Sequence, residues 1–316
     1  MKPIAICFSD LHINIWAKFN DNNERTKNHF KVLSLLFREA HKYGCPILFT
    51  GDLFHKPEYI SPELLNMWFK YTRKLSKKYK VKVYCISGNH DIRDTSKIPN
   101  KPLSWVNVLS NSNFICIDYE KVEIYKGITV YGIPYIDHNI GLNEYLKSLK
   151  LSGKNILLLH TDYPGAKDTD GRVIGSVENL NLNILSRFDL VLCGHIHKPQ
   201  QLSKKVYMIG APLQQRRTDR NCKLGRWYIY KDLTIKFKPY LNFPKFIDVN
   251  SSEEELDDGN YYTVLPKKEA LNTNKQVNTL SKTLSKKVMA KRYLKLKGIK
   301  DKDKKELLTK LISKYE

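Results

Sequence analysis

Five short apolar runs in this 316-residue chain end in the same way. Residues 4–8 run into Ser9-Asp10-Leu11-His12, and residues 47–49 into Thr50-Gly51-Asp52-Leu53-Phe54-His55. Residues 81–86 lead to Ser87-Gly88-Asn89-His90-Asp91, residues 156–159 to His160, and residues 190–193 to Gly194-His195-Ile196-His197. Continuous apolar runs of this length, closed by glycine and polar residues, predict strands buried on both faces of an α/β sheet. Open sheets of that kind carry their chemistry at the carboxyl ends of the strands. The chain is therefore constrained to a fold that gathers Asp, His and Asn side chains at one end of its sheets.

The intervening segments complete that fold. Residues 24–43 place Phe30, Leu33, Leu36, Phe37 and Ala40 at helical spacing before Gly44, and residues 62–78 do the same with Leu64, Leu65, Trp68, Tyr71 and Leu75. Strand, helix, strand, helix, strand implies parallel pairing with right-handed crossovers. Residues 114–117, 122–125 and 128–133 predict consecutive short strands, with Lys126-Gly127 as a turn, and residues 143–149 a short helix. After a Gly-containing loop over 161–177, further strands are expected at 206–209, 227–230 and 233–237. The long loop, directly after His160, is read as a substrate-site loop. The expectation is an α/β protein, a two-sheet β-sandwich flanked by helices. A boundary falls near 240–243, a small strand pair is expected at 246–249 and 261–265, and two helical stripes fill the end of the chain.

Charge points to the class of partner. The chain has 54 Lys and Arg against 32 Asp and Glu, a net charge of +22, and half of that excess lies in residues 267–316. Such an imbalance costs self-repulsion and suits a polyanion. The six cysteines (Cys7, Cys45, Cys85, Cys116, Cys193, Cys222) are scattered without a C-x-x-C pair and read as reduced core residues. No apolar run approaches the ~20 residues of a membrane span, and the N-terminus lacks the pattern of a signal peptide. A cytoplasmic protein that does not enter a membrane is the expectation.

The chemistry follows from the donors. Mixed oxygen and nitrogen ligands suit Mn²⁺, Fe²⁺ or Zn²⁺ better than Ca²⁺ or Mg²⁺. Asp10, His12, Asp52, Asn89, His160, His195 and His197 are too many ligands for one such ion and enough for two that share a carboxylate. Paired ions ~3.5–4 Å apart are the usual apparatus of phosphate-ester hydrolysis. Asp52, on a central strand, is the natural bridge.

Taken together, Asp10-x-His12, Gly51-Asp52, Gly88-Asn89-His90-Asp91, His160 and Gly194-His195-x-His197 resemble the calcineurin-like metallophosphoesterases. Gly51-Asp52-Leu53-Phe54-His55 and Gly194-His195-Ile196-His197-Lys198-Pro199-Gln200, followed by Gly210-Ala211-Pro212, resemble the nuclease subunit of SbcCD-type DNA repair complexes and related phage recombination endonucleases. The resemblance implies a metal-dependent exo- and endonuclease with two Mn²⁺, or Mg²⁺, Fe²⁺ or Zn²⁺ in their place. Asp10, His12, Asp52 and His197 would hold one ion, and Asp52, Asn89, His160 and His195 the other. His90 would contact the scissile phosphate or protonate the leaving oxygen, Asp91 would orient His90, and His55 would stabilise the transition state or position DNA.

The resemblance further implies a nuclease domain over 1–240, a small cap over 241–280, and a basic helical hairpin over 281–316. That hairpin would dock on the coiled coils of an SbcC-like ABC-type ATPase. A homodimer, with residues 62–78 as one contact, and a cytoplasmic setting (a host cytoplasm if phage-encoded) belong to the same expectation. Ala211 in place of the usual Ser, Asn14 in place of a Gly, and a short cap depart from the family pattern. Arg172, Lys198, Arg216, Arg217 and Arg220 are candidate DNA contacts. The alternatives are a metallophosphoesterase acting on small phosphodiesters or phosphoproteins, and a DNA-binding scaffold with a vestigial centre. The completeness of the ligand set argues against the scaffold.

Overall fold

The computed structural model describes residues 1–94, 100–250 and 260–265. In chain order these form β1 (Ala5–Phe8), α1 (Glu24–Tyr43), β2 (Ile47–Phe49), α2 (Pro62–Tyr79), β3 (Val83–Cys85), β4 (Ile92–Asp94), β5 (Leu103–Ser104), α3 (Trp105–Val108) and β6 (Phe114–Cys116). There follow β7 (Lys121–Tyr125), β8 (Ile128–Ile133), α4 (Leu142–Ser148), β9 (Lys154–His160), α5 (Leu182–Leu185), β10 (Leu190–Gly194), β11 (Gln200–Gln201) and β12 (Val206–Met208). The last are β13 (Gly225–Ile229), β14 (Ile235–Pro239), β15 (Phe246–Val249) and β16 (Tyr261–Val264).

Two six-stranded sheets result, in the orders β14-β13-β1-β2-β3-β6 and β11-β12-β10-β9-β8-β7. The centre of each is parallel: β1 with β2 and β2 with β3 in the first, β8 with β9 and β9 with β10 in the second. β13 and β14 come from late in the chain and return antiparallel to the first sheet beside β1. Both halves of the sequence thus build the sandwich, as the strand pattern predicts.

The apolar runs are continuous because each strand is covered twice. In β1, Ile6 and Phe8 face α1 and α2 together with Phe30, Phe37, Phe49 and Trp68. Ala5 and Cys7 of the same strand face the other sheet, in a layer with Leu48, Val130, Ile156, Leu158 and Leu192. In β9, Leu157 and Leu159 turn outward to Leu142, Leu146 and Phe188. Strands buried this way cannot alternate with polar residues, so polar chemistry is displaced to their ends.

α1 stops where Gly44 takes up a left-handed conformation and its N–H returns to the Ala40 and His41 carbonyls. α2 starts where the Ser61 side chain accepts the Leu64 N–H at 3.2 Å, with Pro62 in the first turn. All six cysteines are free thiols, five of them buried. No described helix is long and apolar enough to cross a membrane. β15 and β16 form a parallel pair inside the expected cap. Residues 251–259 and 266–280 of that cap and the helical hairpin expected over 281–316 lie outside the described residues.

Candidate metal centre

The site lies where the carboxyl ends of both sheets meet. Asp10 and His12 follow β1, Asp52 follows β2, Asn89 to Asp91 follow β3, His160 ends β9, and His195 and His197 follow β10. Three of the oxygen donors therefore come from the first sheet and three imidazoles from the second. Asp10, His12, Asp52 and His195 hold their places at φ of 49°, 48°, 62° and 90°. That left-handed region disfavours side-chain-bearing residues, and such departures persist where the surroundings over-determine them.

Distances define the cluster. Asp52 Oδ2 stands 3.5 Å from His12 Nε2 and 3.5 Å from His160 Nε2, so this carboxylate lies between two groups of donors. On one side, His12 Nε2 and His197 Nε2 are 3.1 Å apart, with Asp10 close enough to share a ligand sphere with both. On the other, Asn89 Oδ1 is 3.0 Å from His160 Nε2 and 2.9 Å from His195 Nδ1. The donor atoms of Asp10, His12 and His197, and those of Asp52, His160 and His195, each fall within 4.8 Å of one another. His12, His55 and His90 form a third such group.

The electrostatics call for cations. Asp10 and Asp52 are 0% and 1% exposed, and among the described residues neither pairs with a lysine or arginine. A buried carboxylate without a compensating positive charge is costly. Burial raises the Asp10 carboxyl above its ordinary range. Burial would raise Asp52 as well, but the His160 and His12 imidazoles hold it below that range. His160 would be lowered by its own burial, yet the Asp52 carboxylate raises it to about 9. Its Nδ1 faces the Thr50 carbonyl at 2.7 Å, so Nε2 is the nitrogen turned to Asn89 and Asp52. A proton and a divalent cation compete for that place, and the residues fit the cation.

Supporting contacts fix the donors. The Asp91 carboxylate accepts the backbone N–H groups of Asp52, Leu53, Phe54 and Gly88 at 2.8–3.1 Å. Among the described residues the Asp91 carboxylate thus engages backbone N–H groups and not the His90 ring itself. The His90 ring instead meets the His55 carbonyl, Nδ1 to oxygen, at 2.8 Å. His197 Nδ1 meets Asp219 Oδ2 at 3.3 Å, and Asp219 also accepts the Gln215 N–H at 2.8 Å. Asp118 accepts both the N–H and the hydroxyl of Ser87 beneath the Asn89 turn. Asp219 and Gln215 carry no strand-end signal, while Thr50 and Asp118 stand just after strands and the sequence reading gives them no role.

The sheets touch directly under the site. A Cβ on Gly194 would lie 2.3 Å from the Thr50 carbonyl oxygen and 2.5 Å from Ser9 Oγ. The expected DNA contacts divide. Arg217 and Arg220 pair with Asp248 of β15. Arg216 stays 62% exposed beside Asp219. Arg172 is exposed and Lys198 half-buried, in the loops after β9 and β10.

Buried carboxylates, an amide oxygen and imidazoles converging at the ends of two packed sheets define a metal-dependent phosphoester hydrolase. Residues 5–199 match the family model for the calcineurin-like phosphoesterases, and the chain belongs to that family. Phosphoesterase 244L of Invertebrate iridescent virus 6 is 26% identical over 204 residues, covering 59% of this chain and 67% of the relative. The SbcCD nuclease subunit of Staphylococcus epidermidis is 26% identical over 246 residues, 69% of this chain but only 63% of that relative's length. A crystal structure of a dimetal phosphatase from Danio rerio superposes with a TM-score of 0.46 at 10% identity, over 72% of this chain and 94% of the other.

Proposed function

We propose that this chain is a divalent-metal-dependent DNA nuclease. Asp10, His12, Asp52 and His197 would hold one ion, and Asp52, Asn89, His160 and His195 the other. The observation that carries the reading is the placing of Asp52 Oδ2 at 3.5 Å from a histidine of each group. Manganese suits the mixed oxygen and nitrogen donors. Bound ions would supply positive charge to the equatorial phosphoryl oxygens and lower the pKa of the attacking water.

The chain's own groups do the rest. Asn89, His90, His55 and His195 are only half-buried and form the open side of the centre. With Nδ1 of His90 engaged by the His55 carbonyl, Nε2 is left for a phosphate or a leaving oxygen. DNA as substrate is supported by the net charge of +22 and by the similarity to the SbcCD nuclease subunit. Binding to DNA should then weaken steeply with salt, since lysines displace counterions. A homodimer and an SbcC-like ATPase partner, docked through residues 281–316, belong to the same proposal, as does the division into a nuclease domain, a cap and a docking segment.

The test is incubation of linear double-stranded DNA with the protein and Mn²⁺, with and without chelator, beside an Asn89→Ala/His90→Ala control. Chelator-sensitive degradation that vanishes in the control is the expected result. Hydrolysis of a small chromogenic phosphodiester without any action on DNA, with or without the ATPase, would overturn the nuclease assignment.

A further inference from the structure

Six histidines surround the centre, and five have a hydrogen-bonding neighbour at a ring nitrogen. His12 meets His197, His90 the His55 carbonyl, His160 the Thr50 carbonyl, His195 Asn89, and His197 Asp219. His55 differs. Among the described residues neither of its ring nitrogens has a hydrogen-bond partner, and Nδ1 is buried. Only other rings fix it: His90 stacked at 5.4 Å and 15°, His12 edge-on at 5.5 Å, and Trp16 at 4.8 Å and 42°. Trp16 is the one of these three that is not itself assigned to the chemistry.

Trp16 is in turn clamped. The Arg25 guanidinium lies 3.9 Å from the centre of its ring. Arg25 is 6% exposed, and it donates to the Gln215 carbonyl at 2.6 Å and the Lys18 carbonyl at 3.3 Å. A cation over a tryptophan face is favourable, most so where water is excluded. The same guanidinium lies 5.3 Å from the Phe246 ring and 5.4 Å from the Tyr261 ring, on β15 and β16. Phe19 closes this aromatic group, 5.9 Å from Phe246 and 5.3 Å from Tyr261. An unbroken series of ring and cation contacts therefore runs from the β15–β16 pair through Arg25 and Trp16 to His55.

We propose that Trp16 is the positioning residue for His55, and that Arg25 ties this position to the β15–β16 pair. The inference rests on the reading that His55 acts on the scissile phosphate. An imidazole without a hydrogen bond is free to turn about its Cβ–Cγ bond unless a neighbouring face stops it, and Trp16 supplies that face. Misplacement by about an ångström at a reacting centre lowers rates by roughly 10²-fold. The β15–β16 pair is thus linked to His55 through Arg25 and Trp16.

The test is a double-mutant cycle of Trp16→Ala and His55→Ala on the full chain with saturating Mn²⁺. kcat and KM are measured on linear duplex DNA and on bis(p-nitrophenyl) phosphate. Trp16→Ala is expected to lower kcat about 10²-fold with KM unchanged, and the double variant to be no slower than His55→Ala alone. Trp16→Phe, which keeps a ring face, should recover most of the rate. Arg25→Gln and Phe246→Ala should lower kcat in the same direction by successively smaller factors. If the alanine variant does not fold, Trp16→Leu keeps the apolar bulk without the aromatic face and carries the same cycle. Losses that multiply in the double variant would overturn the proposal, because Trp16 would then act independently of His55. An unaffected kcat in His55→Ala would overturn it at its premise. The same non-additivity on the small diester, in a protein that leaves DNA intact, would support the positioning role while removing the nuclease reading.

Discussion

The two sheets bring unlike halves to one centre. The first contributes Asp10, Asp52 and Asn89, with Asp10 and Asp52 in left-handed turns, and it fixes them through the backbone: one carboxylate, Asp91, gathers four N–H groups around Asp52 and Gly88. The second contributes His160, His195 and His197, and there the task is orientation of a ring, met by a partner on the far nitrogen of His160 and His197. The Asp10 and Asp52 carboxylates need a rigid frame because their charge is buried. Imidazoles need a fixed tautomer because only one nitrogen can face a metal. Each half also leans on the other: Thr50 of the first sheet orients His160, and Asp10 accepts the His195 N–H at 3.2 Å.

Substitutions that separate the halves sharpen this contrast. Asp52→Asn removes the charge between the two groups and should abolish tight binding of both ions, with hydrolysis falling at least ~10³-fold, the scale of losing a main electrostatic stabiliser. Inductively coupled plasma analysis of the dialysed protein beside steady-state rates checks it. Asp91→Asn should act through the frame. Leaving amides around Asp52 without an acceptor costs about 1–3 kcal/mol of stability, so a lower melting temperature and weaker metal binding are expected together. Asp219→Asn should act on the His197 ring and on the Gln215 N–H that the same buried carboxylate accepts. Metal affinity at the Asp10–His12–His197 side should fall about 10–100-fold, with a smaller loss of melting temperature than Asp91→Asn, as calorimetric titration with Mn²⁺ and thermal denaturation will report.

Gly194→Ala probes the seam itself. Its Cβ would sit 2.3 Å from the Thr50 carbonyl oxygen, so the sheets must part or the turn must shift. Overpacking of this kind costs about 1–3 kcal/mol, visible in chemical denaturation, and both ligand groups should loosen. The smallest effect belongs to the rim. Arg216→Ala should leave metal binding intact and reduce the slope of log affinity for DNA against log salt by about one, while Arg217→Ala, already paired with Asp248, should not.

Much of this contrast is written in the sequence, and unevenly. Strands buried on both faces leave continuous apolar runs, so their ends, and the Asp, Asn and His residues there, are legible directly. α1 begins and ends where Glu24 and Gly44 predict. The supporting layer is not legible in the same way. Asp219 reaches His197 from a short 3-10 turn, and Gln215 donates to the Leu11 carbonyl across some two hundred residues of chain. Such contacts have no periodicity and no local partner. The left-handed turns at Asp10, His12 and Asp52 lack the glycine that would announce them. Asp91 illustrates the limit: its place beside His90 suggests a local partner, whereas its carboxylate serves the neighbouring strand-end loop. Arg217 and Arg220 read as phosphate contacts, and nothing in the sequence announces the Asp248 partner that β15 brings to them.

The most direct test of a shared carboxylate is electron paramagnetic resonance of the protein titrated with Mn²⁺, compared with Asp52→Asn. Two ions bridged ~3.5–4 Å apart should bind per chain with an exchange-coupled spectrum in the wild type, and that coupling should be lost in the variant. A single ion at saturation, or two uncoupled ions whose binding survives Asp52→Asn, would contradict the account.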